Sequence, residues 1–470
     1  MKYRLALIFL ILLAYGCNFE PRRMMPYVCM PETWRIEADE SSTLANVRWW
    51  ESLGDPILNE LIVAGLDNNN DLKIASWRVF EYLAKYQIVR SELFPQVNLQ
   101  SSAIRERFPV SSFIPFNLNP IQSDFKYAFT LSYEIDIWGR IRSATHAAMA
   151  QVLASIENRK TVVLTLVSSI AQTYVSLREL DRELEIINTT ITTREESLRI
   201  AKLRFEGGVT SEIDVAQAAA ALDDALSRKP PLVTQIAEYE NLLSILIGEN
   251  PTCILRGKAV DQFELPNEIP AGLPSEILCQ RPDIISAEED IVSANALIGV
   301  ARANFFPQIS LTGLYGGESF ELSQLFSNSA KTWQLGGTLL QPLFTGFRLT
   351  GQLLEAEVER EEAIYNYQQV ILTAFKEVND ALVAHREAKK EVVIEADRVA
   401  NMKEYLKLSW LRYYEGQTQY LTVLDAERQL LEAQLKQAEA QSNLFVTLID
   451  IYKALGGGWV VDADSCLRDN

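Results

Sequence analysis

Two long stretches without glycine or proline constrain this chain more than any other feature. The first runs from Arg140 to Glu206 and the second from Gln352 to Glu415. Both are rich in residues that favour helices, and each is bounded by glycines of the kind that stop one. As a helix, the first stretch would be roughly 100 Å long at 1.5 Å per residue. Two rods of this length suggest an internal repeat.

Marker sequences in the same order indicate that the chain is duplicated. Leu203–Thr210 and Leu411–Thr418 both read Leu-Arg-aromatic-x-x-Gly-x-Thr. Upstream, Phe94-Pro95-Gln96 matches Phe306-Pro307-Gln308, and the spacing between the two kinds of marker is similar in each half. The repeat predicts a first structural unit over residues 55–265 and a second over residues 266–455.

Each repeat also contains a pair of strand-like segments. They lie at about 96–107 and 123–136 in the first repeat, and at about 308–318 and 332–343 in the second. Phe125 to Ile135 alternates apolar with small or polar residues. Such alternation is typical of a membrane barrel strand, and also of a soluble hairpin with one buried face. Four strands cannot close a barrel, so transmembrane strands would require several chains, and three chains would supply twelve strands.

Return helices follow the two glycine turns. The first begins at Thr210 and the second, Thr418 to Leu455, is uninterrupted. Pro230-Pro231 should break or kink the first return helix before it resumes to about Ile247. The expected fold is therefore α+β and mostly long α-helices, as a duplicated unit of one β-hairpin plus long helical hairpins.

The N-terminus has the features of an export signal. Lys2 and Arg4 precede an apolar run too short to span a bilayer, and residues 1–16 read as a signal peptide. Cys17 follows small residues, as in a bacterial lipoprotein cleavage box, where the cysteine becomes acylated. The alternative is an ordinary signal peptide cut nearby, with Cys17 free or removed. Residues 17–54 are expected to form an extended, lipid-anchored strap, and residues 456–470 a mobile tail.

Composition argues against several classes of function. The formal net charge of −18 disfavours nucleic acid, because no basic stripe exists to neutralise phosphates. The two histidines, His146 and His385, are too few for a histidine metal site or a catalytic triad. The five cysteines include no C-x-x-C pair. Disulfides among those other than Cys17 stay open.

Taken together, the motifs resemble the TolC-like outer-membrane efflux proteins, in particular their lipoprotein branch that serves resistance–nodulation–division pumps. The likeness covers nearly the whole mature chain. Its motifs are Trp49-Trp50 with Asp55-Pro56, Phe94-Pro95-Gln96, Tyr133–Arg140, Arg204–Asp214, Arg281-Pro282-Asp283, Phe306-Pro307-Gln308, Pro342–Gly346 and Tyr420–Ala426.

This resemblance implies a homotrimer with one twelve-stranded β-barrel in outer-membrane lipid and an α-helical tunnel through the periplasm. Such a protein is the exit duct of a tripartite pump, with a periplasmic adaptor (membrane fusion protein) and an inner-membrane transporter as partners. It is not an enzyme, and the resemblance implies no cofactor and no resident metal.

The resemblance also assigns roles to individual residues. The turns Gly208-Val209-Thr210 and Gly416-Gln417-Thr418 match the tips that meet the adaptor, although these glycines also read as plain helix C-caps. Leu421 and Asp425, four residues apart on one helix face, match positions that line the closed periplasmic aperture. In a trimer Asp425 would form a ring of three carboxylates that favours cations. Relatives with a double acidic ring carry an acidic residue where this chain has Thr422. Asp214 matches a position that holds the neighbouring coil closed in some relatives. The simpler interpretation of Asp214 and Asp425 is that each is a solvated charge on a helix surface.

Three other functions remain as alternatives. An exit duct for type I polypeptide secretion would have the same architecture, because the inner-membrane partner chooses the cargo. A structural coiled-coil envelope protein would explain the rods but not the strand pairs. A periplasmic adaptor would need a small lipoyl-like β domain, which the duplicated plan does not contain.

Overall fold

The chain folds into long helices and one small β-sheet in a computed structural model that describes residues 19–22, 26, 48–107, 109, 121–264 and 277–456. The signal peptide, Cys17, Cys29 and Cys466 lie outside the described residues, together with most of the strap and of the tail.

Eight α-helices and four β-strands make up the described part of the chain. In chain order they are α1 Pro56–Asn68, α2 Asn70–Ser91, β1 Gln96–Arg107, β2 Ile121–Ile135, α3 Arg140–Glu206, α4 Glu212–Leu246, α5 Ile277–Gln280, α6 Pro282–Ala303, β3 Gln308–Ser319, β4 Lys331–Leu340, α7 Arg348–Tyr414 and α8 Tyr420–Ala454. The fold is therefore α+β and mostly helical.

Equal helix lengths establish the duplication. Helices α2 and α6 both have 22 residues, α3 and α7 both have 67, and α4 and α8 both have 35. In each half, the shorter helix is followed by two strands and then by the long helix and its return helix. The long helices are thus two copies of one element, as the marker sequences predicted.

The four strands form one antiparallel sheet in the order β1-β2-β3-β4. Strand β2 pairs with β1 of its own repeat and with β3 of the other repeat, so the two hairpins lie side by side. Strands β1 and β4 are the two edges. Strand β4 ends at Leu340, shortly before Pro342, which has no N–H to donate to a ladder.

The predicted break at Pro230-Pro231 does not occur. Helix α4 continues through both prolines. Leu232 and Ala225, on either side of the pair, are buried in one cluster with Ile187 and Ile191 of α3. This packing fixes the helix on both sides of the prolines and outweighs their low helix propensity.

The described residues divide into two compact units. The first takes residues from Met1–Tyr27, Arg78–Ile156 and Ser286–Gln368, and the second from Val28–Trp77, Glu157–Ile285 and Gln369–Asn470. The first unit contains the whole sheet, and Ile298 and Ala301 of α6 pack there on Ala356 of α7.

The second unit has the larger apolar core. Trp49 and Trp50 are buried in it, and Trp49 stacks on Tyr452 with ring centroids 5.2 Å apart. Asp55 caps α1 by accepting the N–H of Ile57 at 2.9 Å. The Trp-Trp and Asp-Pro motifs therefore serve packing and capping.

Both histidines have packing or surface roles. His385 is buried with Nδ1 at 3.1 Å from the Thr447 hydroxyl, and burial lowers its pKa to about 4. His146 is exposed beside Glu20. None of the helices in the described residues is both apolar enough and long enough to cross a membrane.

Candidate functional site

The two predicted tips have the same backbone geometry. At the end of α3, the N–H of Gly208 bonds to the Phe205 carbonyl at 2.9 Å and that of Val209 to the Arg204 carbonyl at 2.8 Å. At the end of α7, Gly416 and Gln417 repeat these bonds to Tyr413 and Arg412 at 3.0 and 2.9 Å. This is the Schellman ending of a helix, with a left-handed residue just after the last turn.

Glycine is required at both tips by backbone conformation and not by crowding. Gly208 has φ +69° and Gly416 has φ +74°, while a Cβ at either position would meet no atom within 4 Å. Val209 and Gln417 are exposed, and Thr210 and Thr418 are half-buried. The six tip residues thus form two matching, solvent-exposed turns that a partner protein can reach.

Leu421 and Asp425 share one exposed face of α8. Leu421 is 56% exposed, whereas Val423 and Ala426 on the other side of the helix are buried. The Asp425 carboxylate accepts a hydrogen bond from the Arg428 guanidinium at 2.9 Å. A ring of Asp425 carboxylates in an oligomer would therefore carry a matching set of guanidinium groups. Sequence reasoning missed Arg428, although its i,i+3 spacing from Asp425 is a usable signal.

Asp214 lies in the first turn of α4, close to aromatic residues of α7 and α8. Its N–H bonds to the Ser211 carbonyl at 3.1 Å. Burial is the main cause that raises the pKa of Tyr413 and of Tyr420, and the charge of Asp214 raises both further. Asp214 thus neighbours the start of α8, where Leu421 is located, but no hydrogen bond or ion pair within the described residues joins it to Asp425.

An aromatic cluster near the tips joins the two helical hairpins. Ala201 and Ala218 of the first hairpin pack against Tyr413, Tyr420 and Val423 of the second. The Arg204 guanidinium lies over the Tyr413 ring, 4.9 Å from its centroid, in cation–π geometry. Sequence reasoning did not identify this cluster, because its members come from four helices.

The segment that follows Cys17 is held at the ends of two strands. Phe19 stacks on Phe306, which precedes β3, with centroids 4.5 Å apart, and also contacts Trp138, which follows β2. The Pro21 carbonyl accepts a hydrogen bond from Asn295 at 2.9 Å. Phe19 therefore contacts residues that flank two strands of the sheet.

Comparison with known proteins gives one consistent picture. A family profile described as "Outer membrane efflux protein" matches residues 61–249 and again residues 273–457. The solvent efflux pump outer membrane protein SrpC of Pseudomonas putida is 35% identical over 469 residues, which are 98% of this chain and 99% of that protein. Outer membrane protein OprJ of Pseudomonas aeruginosa is 31% identical over 455 residues, 96% of this chain and 95% of OprJ.

Solved structures agree with these relatives. The CmeC outer membrane channel of Campylobacter jejuni superposes with a TM-score of 0.88 at 28% identity, over 96% of this chain and 98% of that chain. The open state of the MtrE outer membrane channel of Neisseria gonorrhoeae superposes with a TM-score of 0.86 at 30% identity, over 94% of this chain and 99% of that chain.

Proposed function

The chain belongs to the outer membrane efflux protein family, and from that premise we propose that it is the exit duct of a tripartite pump that exports small molecules. The named relatives are outer membrane proteins of efflux pumps. The resemblance drawn from the sequence motifs is thus confirmed at the level of family.

One observation carries this proposal, namely the exposed apolar face of the sheet. Leu99, Phe129, Tyr315 and Trp333 are direct partners across all four strands, so their side chains share one face. All four are exposed, from 50% for Phe129 to 71% for Trp333. A soluble sheet would bury such a face, whereas a membrane strand turns it to lipid.

The opposite face of the sheet has the chemistry of a water-filled interior. Asn98, Thr130, Leu314 and Gln334 form one row on it. Another row carries Lys126 and Glu318, whose charged groups are 3.4 Å apart. Apolar side chains on one face and mainly polar ones on the other support a channel with lipid outside and water inside.

We propose a homotrimer because the sheet has two open edges. Unpaired N–H and C=O groups at β1 and β4 would be strongly unfavourable in lipid. Pairing the β4 edge of one copy with the β1 edge of the next removes them, and three copies give a closed barrel of twelve strands. The long helical hairpins would then form the periplasmic tunnel.

The remaining site assignments are proposals on the same premise. Cys17 anchors the mature protein in the outer membrane by its lipid. Leu421 and Asp425 line the periplasmic aperture, with Asp214 holding the neighbouring coil. The turns Gly208–Thr210 and Gly416–Thr418 meet the periplasmic adaptor, which links the duct to an inner-membrane transporter. We also propose that the two sequence repeats span residues 55–265 and 266–455; these repeats are not the two compact units, each of which takes segments from both repeats.

The cargo class is inferred from the names of the relatives. Those proteins are described as outer membrane components of solvent, toluene and antibiotic efflux pumps. Small apolar and amphipathic molecules are therefore the proposed substrates. A type I secretion duct for polypeptides is the alternative, and the experiment below separates the two.

A gene-deletion strain tests the proposal. Cells without the gene should retain a fluorescent dye and become sensitive to toluene, and the restored gene should reverse both effects. Unchanged dye retention together with a polypeptide missing from the culture medium would support the secretion duct instead. The purified protein should also conduct ions in a planar bilayer, which a structural coiled-coil protein would not do.

A further inference from the structure

Two buried charged side chains near the aperture have unused hydrogen-bonding atoms. Glu427 of α8 is 7% exposed and Arg194 of α3 is 4% exposed. Both carboxyl oxygens of Glu427, and Nε of Arg194, have no hydrogen-bond partner in the described part of the chain. Arg194 lies within electrostatic range of Glu427. Buried polar groups are nearly always paired, so an unpaired carboxyl in range of an arginine with a spare donor needs an explanation.

Arg194 is bound to a different helix in this conformation. Its Nη1 donates to the Ala221 carbonyl and to the Asp224 carboxylate, the latter at 3.1 Å, and both residues belong to α4. Asp224 is exposed and also pairs with Arg228. The guanidinium of Arg194 therefore joins α3 to α4, and Glu427 of α8 is left without a hydrogen-bond partner among the described residues.

Among the described residues, Arg194 of α3 is the charged group that acts on Glu427, and groups of α4 and α7 act on its neighbour Tyr420. Burial raises the pKa of the Glu427 carboxyl to about 7, although the positive charge of Arg194 from α3 lowers this pKa. On α8 itself, Tyr420 is close enough for the Glu427 charge to raise its pKa further. Asp214 of α4 and Tyr413 of α7 also raise the pKa of Tyr420. Asp425 and Arg428, which flank Glu427 in sequence, pair with each other on the exposed face.

We propose that Glu427 and Arg194 form a proton-controlled latch between α8 and the first helical hairpin. While the Glu427 carboxyl is protonated, it remains unpaired and Arg194 stays on Asp224 and Ala221. When the carboxyl ionises, it draws Arg194 away from α4 and ties α3 to α8. This exchange shifts the turn of α8 that carries Asp425. Its effect on conduction rests on the proposed channel function, but the exchange of partners does not.

The sign of the effect follows from linkage. The conformation described here keeps the carboxyl unpaired and therefore favours its neutral form, so it is favoured at low pH. As pH rises through the pKa of Glu427, the alternative pairing with Arg194 gains population. Neither state requires unfolding, because Arg194 has a charged partner in both.

Conductance of the full-length protein in a planar bilayer between pH 5.5 and pH 8.5 provides the main test. Wild type should show a step in conductance with its midpoint near pH 7, and Glu427→Gln should hold the low-pH value throughout. Glu404→Gln removes an exposed carboxylate of α7 that pairs with Lys407, and it should keep the step. A Glu427→Gln protein that retains the wild-type step overturns the proposal. A wild type without any conductance argues against the channel function instead.

Infrared titration tests the latch without relying on conduction. Wild type should lose protonated carboxyl C=O absorption with a midpoint near pH 7. Because burial also raises the pKa of Glu183 to about 7, the Glu427 contribution is the part of this absorption that is missing in Glu427→Gln. Asp224→Asn removes the competing partner of Arg194, so the midpoint should fall by about one pH unit. This second variant decides the matter if Glu427→Gln does not assemble, because an unchanged midpoint in Asp224→Asn contradicts the exchange of partners.

Discussion

The hydroxyl of Tyr174 joins three separate parts of the chain inside the second unit. It donates to the Asp55 carboxylate at 2.8 Å and accepts the N–H of Gly257 at 2.9 Å. Asp55, fully buried, also accepts the N–H of Lys258 at 3.0 Å. Tyr174→Phe would leave the Gly257 N–H without its acceptor, so it should lower stability by about 1–3 kcal/mol. The shift in thermal unfolding temperature of the purified protein measures this loss.

Tyr452→Phe is the matched control. Tyr452 is also buried and aromatic, but no hydrogen bond of its hydroxyl to another described residue accompanies its stacking on Trp49. Removal of the Tyr452 hydroxyl should change the unfolding temperature far less than Tyr174→Phe does. Equal shifts for the two variants would contradict the role of the Tyr174 hydroxyl.

The pairing of Arg428 with Asp425 makes a second prediction at this scale. If Asp425 lines the aperture, Arg428 offsets part of its charge. Arg428→Gln should therefore raise cation over anion permeability, and Asp425→Ala should reduce it while raising conductance. Reversal potentials in a salt gradient across a planar bilayer give both values. Arg428→Lys keeps the charge and should behave as wild type; unchanged selectivity in the other two variants would exclude this aperture assignment.

Sequence reasoning at the residue scale had a clear limit. Leu421 and Asp425 were identified because they belong to a short motif on one helix. Arg194 and Glu427 look like ordinary helix charges in the sequence. Their burial arises only when α3, α4 and α8 pack together, and the duplicated pattern does not specify which charged side chains turn inward.

Helix ends show how far local sequence determines an element. Helix α3 begins at Arg140 and ends at Glu206, as its flanking glycines predicted, because Gly139 and Gly208 both adopt positive φ. Helix α7 begins at Arg348, four residues before the predicted Gln352. Its start is set by Gly346 and Phe347, with φ of 59° and 66°. Phenylalanine rarely adopts a left-handed backbone conformation, so the sequence pattern predicted that the helix starts after Gly351.

The proline pair in α4 allows a prediction at the element scale. Pro231 lies in the helix interior, is exposed, and lacks the N–H that would bond to the carbonyl four residues earlier. Because the helix continues past it, Pro231→Ala should restore that bond and stabilise the protein by about 1–3 kcal/mol. Thermal unfolding of the purified protein measures the gain.

Pro56 supplies the control for this substitution. It is exposed at the first position of α1, where no intrahelical hydrogen bond is missing. Pro56→Ala should leave the unfolding temperature nearly unchanged. A loss of stability in Pro231→Ala would mean that the native helix depends on the local geometry of the proline pair.

At the scale of the whole molecule, the repeat was visible in sequence but the way its copies join was not. The markers predicted two hairpins, and the structure adds that β2 pairs with β3 along Phe125 to Ile135. The alternation of apolar and polar residues along a strand is the same whichever strand lies beside it, so it cannot predict which strands pair. The alternation also left a soluble hairpin open, and exposure of the apolar face, not the pattern itself, now favours the membrane.

Two adjacent residues of β4 test the orientation of this sheet in the membrane. Leu335 is 80% exposed and aligns with Gly313 and Leu131 on the apolar face, whereas Gln334 aligns with Leu314 and Thr130 on the other face. Leu335→Lys would place a charge in lipid, which costs about 2–4 kcal/mol near the bilayer midplane and recurs in each of three copies. The variant should therefore fail to assemble in the outer membrane, as membrane fractionation would reveal.

Gln334→Lys adds the same charge one residue away and should assemble normally. Because it faces the water-filled interior, it should lower cation permeability in a planar bilayer without changing the amount of protein in the membrane. The opposite outcome, with Leu335→Lys assembled and Gln334→Lys excluded, would reverse the faces of the sheet. Equal tolerance of both charges would mean that these strands do not lie in lipid, and the trimeric barrel would lose its main support.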